Sequence, residues 1–162
     1  MRYIFISVIM AASLCCHAQT NKTTTNIAVV KALFAAINKH DSIAVSTFFA
    51  DSAILESPNW EGVQKGKPAV VTIYNRYFKG TPDLAYTITH LIATDTAVVV
   101  EYTFAGKFSN PEGGSPAYMK DKYYNLKGST RFNVAHQKIT AAVSYFDQVA
   151  FLRQVGFFEQ QW

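Results

Sequence analysis

Two acidic residues lie beside aromatic residues, where a carboxyl group can take part in proton transfer. Asp147 follows Tyr145 closely, and Glu101 directly precedes Tyr102. An apolar wall raises the pKa of a carboxyl group, and such a group can then exchange a proton near neutral pH. Asp147 is therefore the first candidate for a general acid/base, and Glu101 is the second.

Each carboxylate also has a structural interpretation. Asp147 precedes a segment with a helical pattern that begins at Gln148, and aspartate is a favoured helix N-cap. Glu101 belongs to an alternating segment that puts it on the face opposite Tyr102. That face lines a cavity or faces water, and we favour water.

Aromatic residues make up 14% of the chain, which is the unusual feature of its composition. Such rings fill a core efficiently, and they also line apolar cavities. The side chains predicted to line a ligand pocket are Trp60, Tyr74, Phe78, Tyr102, Tyr118, Tyr123, Phe132 and Tyr145. For each of them, packing in the core or at a dimer interface is the alternative.

The motifs of several other chemistries are absent from the sequence. It has no Gly-rich phosphate loop, no Ser nucleophile elbow and no metal-binding helix motif. His40, His90 and His136 are dispersed along the chain, a spacing that does not indicate a metal site. We therefore predict neither a metal ion nor a cofactor.

The first 18 residues have the pattern of an export signal. Arg2 supplies a positive charge, residues 3–14 form an apolar run too short to span a bilayer, and Cys16 and Ala18 are the small residues of a cleavage site. Lipidation at Cys15 or Cys16 is the weaker alternative because neither follows a small residue. We expect an exported protein, periplasmic or secreted, without a membrane span after cleavage.

Loss of this signal changes what the mature chain can do. Both cysteines would be removed, leaving no disulfide and no thiol nucleophile. The formal net charge would fall from +4 to +3 with the loss of Arg2. The remaining Lys and Arg residues are scattered, whereas a nucleic-acid-binding surface needs a clustered basic stripe. Nucleic acid is therefore not an expected partner.

Hydrophobic periodicity predicts helices first and strands afterwards. A flexible leader, residues 19–26, precedes a first helix that is capped by Thr25 or Asn26. A short second helix, a strand over residues 53–57 and a third helix starting at Gly66 follow. Long strands are then predicted over residues 84–93, 97–108, 123–134 and 139–147, before a helical tail over 148–155.

This order of elements is typical of an α+β domain, here covering residues 27–158. Within the third long strand, Gly128 predicts a bulge or a bend. A turn at His136-Gln137-Lys138 is predicted to connect that strand to the last one.

Over residues 26–158 the chain resembles the SnoaL-like polyketide cyclase group of the nuclear transport factor 2-like superfamily. The matching passages are Phe48-Phe49-Ala50-Asp51-Ser52-Ala53, Gly66-Lys67-Pro68-Ala69-Val70, Thr81-Pro82-Asp83, Val98-Val99-Val100-Glu101-Tyr102 followed by Gly106, and Tyr145-Phe146-Asp147 leading to Phe151-Leu152-Arg153-Gln154-Val155-Gly156. The resemblance implies a cone-shaped fold, in which three N-terminal helices pack in a curved antiparallel sheet around a hollow.

The same resemblance implies a site and a homodimer. Cyclases of this group use a pocket carboxylate as acid/base without a metal, and Asp147 matches the family aspartate in position. In some members the acid/base lies a few residues earlier on the strand, where this chain has Ser144 or Tyr145. An isomerase-like site of the superfamily would need a tyrosine on the first helix, and this helix has none.

Three functional interpretations follow. The first is an exported domain whose apolar pocket binds a small hydrophobic molecule without proven catalysis. The alternative is a metal-free cyclase or isomerase that uses Asp147 as its general acid/base. The third is a structural domain whose cone is filled by its own aromatic side chains, which predicts no cavity of roughly 300 Å³ or more.

Overall fold

The computed structural model describes residues 22–58, 62–110 and 116–159. The helices are α1 (residues 22–37), α2 (Ser42–Thr47), α3 (Gly66–Gly80) and α4 (Gln148–Gln154). The strands are β1 (Phe49–Glu56), β2 (Gln64–Lys65), β3 (Ala85–Ala93), β4 (Ala97–Lys107), β5 (Tyr123–Ala135) and β6 (Lys138–Phe146). The predicted signal, residues 1–18, lies outside the described residues.

The six strands form one sheet in the order β2-β1-β6-β5-β4-β3. Strands β3 to β6 are an antiparallel meander, as predicted. Strand β1 runs parallel to β6, so the sheet is mixed and not wholly antiparallel as we expected. The reason is that β2, α3 and strands β3 to β5 lie between β1 and β6 in the chain, and this long crossover connection joins two parallel strands. The predicted α+β class is confirmed.

Helix α1 begins earlier than predicted. Residues 22–26 are already helical, so neither Thr25 nor Asn26 is its N-cap, and the helix covers the last part of the predicted leader. Asn26 is buried, and its Nδ2 donates a hydrogen bond to the Thr94 carbonyl at 3.2 Å. This bond ties α1 to the turn between β3 and β4.

The core lies between the helices and the concave face of the sheet. Its fully buried side chains include Val30, Leu33, Ile37, Val45, Phe49, Val70, Val98, Val100, Ile139 and Val155. Each such side chain contributes about 1.5–3 kcal/mol through removal of apolar surface from water. Packing of α1 and α3 against this face positions the side chains that line the interior of the cone.

The start of α3 depends on Gly66, which has a φ of +78°. A Cβ atom there would lie 2.9 Å from the Asp51 carbonyl oxygen of β1, so only glycine permits this approach. Lys67 Nζ forms a salt bridge with Asp51 Oδ1 at 2.8 Å, and this hydrogen bond and charge lower the pKa of Asp51. Helix α3 is thereby held against β1.

Gly128 does not form the predicted bulge. The β4–β5 register runs through the Tyr102–Gly128 pair without a shift. A Cβ atom on Gly128 would lie 2.7 Å from Tyr102 Cε2, because the Tyr102 ring lies across β5 at this point. The glycine is therefore needed to make room for an aromatic side chain on the concave face.

Strand β5 extends beyond its pairing with β6, which ends at Gly128. In that extension, Asn125 N donates to Gln154 Oε1 at 2.7 Å, and Gln154 Nε2 donates to the Asn125 carbonyl at 3.1 Å. The side-chain amide of Gln154, at the end of α4, thus takes the hydrogen bonds that a neighbouring strand would take.

Candidate functional site

A cavity of about 300 Å³ opens inside the cone, between α1, α3, α4 and the concave face of the sheet. Its aromatic lining consists of Phe34, Phe49, Tyr74, Tyr77, Tyr86, Tyr102, Phe104, Phe108, Tyr124, Phe132, Phe146 and Phe151. The volume is at the small end of the roughly 300–1,000 Å³ range of ligand pockets. The cone is therefore not filled by its own side chains, which argues against the third interpretation.

Phe34, on α1, contacts three other rings of this lining. Its ring meets those of Tyr86, Tyr102 and Phe132 edge-on, at centroid distances of 5.9, 5.3 and 6.3 Å. Next to them, Tyr86 and Phe104 stack at 5.5 Å. Edge-to-face and stacked pairs fix the orientation of each ring, so the apolar walls are preorganised.

Strand alternation explains which residues reach the cavity. Paired residues share a face of the sheet, and the rows Ile88–Tyr102–Gly128–Phe146 and Val100–Thr130–Ser144 both lie on the concave side. The intervening row, with Glu101, Ser129 and Tyr145, lies on the convex side.

Three hydroxyl groups form a polar cluster on the floor of the cavity. Tyr102 Oη lies 3.0 Å from Thr130 Oγ1, which lies 2.9 Å from Ser144 Oγ. Tyr102 and Thr130 are buried, with 7% and 3% of their surface exposed. Burial raises the pKa of the Tyr102 phenol, and hydrogen bonds with Thr130 and Ser144 oppose that rise. Among the described residues this cluster is satisfied internally.

Two other phenols of the cavity have no such partner. Neither Tyr74 Oη nor Tyr86 Oη forms a hydrogen bond within the part of the chain that the structure describes. Burial raises the pKa of both side chains, and the nearby Tyr102 phenol raises both further. Both residues line the cavity, so these hydroxyls are available to a bound molecule.

Charged groups are scarce in the lining. Within the described residues, Arg76 and Glu56 are the charged side chains among those that line the cavity, and Glu56 is exposed. Arg76 Cζ lies 5.6 Å from the centroid of the Tyr77 ring. No buried carboxylate therefore lies in the described part of this cavity.

Asp147 is placed as a helix cap. Its Oδ1 accepts a hydrogen bond from Ala150 N at 2.9 Å, and the residue is the N-cap of α4. The side chain is exposed and is not among the residues lining the cavity. Strand β6 ends at Phe146, one residue before the predicted end, so Asp147 turns out of the sheet. This placement speaks against a role as the pocket acid/base.

Glu101, Tyr145 and Tyr123 also point away from the cavity. Glu101 is exposed on the convex face, which is the face we favoured. Tyr145 is 62% exposed because alternation turns Ser144 inward and Tyr145 outward. Tyr123 is 60% exposed for the same reason, since Tyr124 is the inward residue. The predicted positions of Tyr145 and Tyr123 in the pocket are therefore corrected.

Among the other predicted pocket residues, Tyr74, Tyr102 and Phe132 line the cavity. Phe78 is buried outside it, with its ring stacked 4.7 Å from that of His40. Tyr118 is half-buried against the core and does not line the cavity. Trp60 lies outside the described residues.

Several lining residues were not predicted. They include Tyr77, Tyr86, Phe104, Tyr124, Phe146, Phe151, Thr130 and Ser144. Alternation would have indicated part of this set, because Phe104 is in phase with Tyr102, and Thr130 is in phase with Phe132. Phe151, on α4, could not be found in this way.

Metal-binding clusters and membrane-spanning helices are both absent from residues 22–58, 62–110 and 116–159. In these ranges, no group of three or more His, Cys, Asp or Glu side chains is arranged to hold a metal ion. No helix of the same ranges is long and apolar enough to cross a membrane.

Comparison with known proteins gives one family. The family model for SnoaL-like polyketide cyclase matches residues 27–155. No curated relative matches the chain.

Solved structures with this fold are similar over most of their length. A protein from Jannaschia sp. CCS1 described as a SnoaL-like polyketide cyclase is 18% identical, covers 82% of this chain and 92% of its own, and has a TM-score of 0.73. One from Xanthomonas campestris pv. campestris described as a polyketide cyclase is 22% identical, with 83% and 98% covered and a TM-score of 0.70. The epoxide hydrolase/cyclase-like enzyme SalBIII, of pyran ring formation in the polyether salinomycin, is 16% identical, with 78% and 94% covered and a TM-score of 0.66. At these identities the likeness concerns the fold.

Proposed function

This chain belongs to the SnoaL-like polyketide cyclase family, and on that premise we propose that it binds a small hydrophobic molecule in its aromatic cavity. The observation that carries the proposal is a preformed hollow of about 300 Å³ whose walls are mainly aromatic. Such walls favour a flat, ring-bearing ligand, because ring faces and edges gain most from contact with other rings. Association is driven by removal of apolar surface from water.

A plug in the cavity tests this proposal. Ala142 is buried on the concave face and lines the cavity, so Ala142→Phe should fill part of it. With indane as the probe, calorimetry should show binding to the natural protein and affinity at least about tenfold lower in the variant, or about 1.4 kcal/mol.

Ala141→Phe is the matched control. Ala141 pairs with Ile54 and Asn133, next to the concave row of Ala142 and Phe132, so the added ring points to the other face. It should leave indane binding unchanged. Equal binding by both variants and the natural protein would refute a ligand site in this cavity.

The alternative function is a metal-free cyclase or isomerase with Asp147 as general acid/base. The support for it is the family and the shared fold of enzymes such as SalBIII. It is the weaker proposal because Asp147 caps α4 in contact with water.

Asp147→Asn separates the two functions. Asparagine caps a helix about as well as aspartate, so the variant should remain folded. We expect its affinity for indane to be unchanged, because Asp147 is not among the lining residues. Loss of any turnover found for a carbonyl-bearing substrate, with binding intact, would favour the enzyme.

We also propose that the chain is exported, to the periplasm or to the medium. The apolar run of residues 3–14 and the cleavage pattern that ends at Ala18 support it. Expression of the full chain in a Gram-negative host should yield a periplasmic protein whose first residue is Gln19. An uncleaved chain retained in the cytoplasm would contradict export, and a lipidated, membrane-anchored product would contradict cleavage after Ala18.

A homodimer is proposed on the family resemblance, with the convex face of the sheet as the interface. Exposed Ile92 and Tyr145 on that face supply apolar surface for a second copy. Sedimentation should show a dimer that Tyr145→Glu converts to monomers. A monomeric natural protein would overturn the proposal.

A further inference from the structure

We propose that the hydroxyl groups of Tyr74 and Tyr86 bind the carbonyl oxygen of a neutral ligand, an inference that rests on the ligand-binding function proposed above. Both side chains line the cavity, one from α3 and one from β3. Neither hydroxyl has a hydrogen-bond partner among the residues that the structure describes. Both side chains are partly buried in an apolar wall, where a donor without an acceptor is costly, so an acceptor from outside the chain would stabilise them.

Both phenols line one cavity and are influenced by a third phenol there, that of Tyr102. The Tyr86 ring lies 5.3 Å from the Tyr102 ring, and each of Tyr74 and Tyr86 is close enough to the Tyr102 phenol for it to raise their pKa values. The Tyr102 hydroxyl is already bonded to Thr130. Tyr74 and Tyr86 are therefore the pair whose hydroxyls have no partner among the described residues.

A carbonyl oxygen fits this pair better than other polar groups. It has two lone pairs and no proton, so it can accept from two phenols at once. A carboxylate at this pair would exchange its hydration shell for hydrogen bonds from two neutral donors. In an apolar hollow, those two bonds do not offset the free-energy cost of dehydrating the ion. A cation would find no buried carboxylate in the described part of the cavity.

Matched probes isolate the carbonyl group. Indane and 1-indanone share one bicyclic skeleton. They differ at one position, which is a methylene group in indane and a carbonyl group in 1-indanone. The ratio of their affinities, measured by calorimetry, cancels the contribution of the apolar skeleton. In Tyr86→Phe and in Tyr74→Phe we expect 1-indanone to lose roughly three- to tenfold in affinity relative to indane, the effect of one neutral hydrogen bond.

Tyr145→Phe is the control variant, because this tyrosine lies on the convex face and is 62% exposed. It should leave the ratio unchanged. The infrared carbonyl stretch of 1-indanone bound to the natural protein should also move to lower wavenumber than in alkane solvent, and should move back in the Tyr86→Phe complex. This second readout reports hydrogen bonding to the carbonyl directly and does not depend on affinity.

The outcomes separate the inference from the function it rests on. Binding of both probes with a ratio that neither variant changes would overturn the inference and leave the ligand-binding function intact, with water as the partner of the two phenols. Failure of both probes to bind the natural protein would overturn the function and the inference together. A lower ratio in the Phe variants, with the infrared shift lost, supports the assignment.

Discussion

Above a pH of about 10 the protein is expected to lose stability steeply and to unfold, because four phenols of the cavity must stay protonated in the folded state. Burial raises the pKa values of Tyr74, Tyr86, Tyr102 and Tyr124, whereas an unfolded tyrosine titrates near pH 10. Below pH 10 both states hold these protons and stability is unaffected. Above it, the unfolded state releases protons that the folded state retains, and stability falls as pH rises.

The size of this effect follows from proton linkage. Each retained proton lowers the free energy of unfolding by about 1.4 kcal/mol per pH unit. Tyr74 and Tyr86, whose pKa values are raised most, together give roughly 3 kcal/mol per unit, and Tyr102 and Tyr124 add to this. A domain with about 5–15 kcal/mol of stability would therefore unfold within a few pH units. Urea denaturation at a series of alkaline pH values measures the slope directly.

Tyr86→Phe should reduce that slope by about 1.4 kcal/mol per pH unit, since one retained proton is removed. Phe158→Leu, at an exposed position that carries no phenol, should leave the slope unchanged. If phenolate absorbance developed fully while the fold persisted, the cavity tyrosines would be ionising in place, and the prediction would fail.

Replacement of Phe34 by alanine is expected to lower the free energy of unfolding by about 3–5 kcal/mol. Phe34 is buried, and its ring contacts three other rings of the lining, those of Tyr86, Tyr102 and Phe132. The variant loses the buried apolar area and leaves a void next to an existing hollow, where few atoms can move in to fill it. Urea denaturation of the natural protein and the variant gives the difference.

Phe158→Ala is the matched control, since this phenylalanine is 58% exposed. It should cost less than about 1 kcal/mol. The denaturant dependence should be similar in all three proteins if only the folded state changes. A loss of less than about 1 kcal/mol in Phe34→Ala would mean that the ring cluster closes over the void, and the cavity walls would not be rigid.

Local patterns of the sequence predict the elements of this fold well. The start of α3 at Gly66 and the opposite faces of Tyr102 and Glu101 on β4 are found where expected. These features depend on neighbours within a few residues, such as a glycine before a helix or strict alternation along a strand. The same patterns gave no sign that β1 would run parallel to β6, since that pairing joins distant segments.

The site was harder to predict because it depends on phase and register. Ending β6 at Phe146 makes Asp147 a helix cap, and alternation places Ser144 in the cavity and Tyr145 outside it. A shift of one residue thus exchanges a predicted site residue for an unpredicted one. The pairing of Tyr102 with Gly128 likewise follows from the β4–β5 register and from no local pattern.

The hydrogen bonds between Gln154 and Asn125 have a consequence for solubility. Unpaired backbone groups on a strand can recruit a strand from another molecule, which leads to aggregation or domain swapping. The Gln154 side chain occupies the amide and carbonyl of Asn125, so a strand of another molecule cannot form hydrogen bonds with β5 at this residue. The C-terminal helix that carries it therefore helps to keep separate molecules from joining through their sheets.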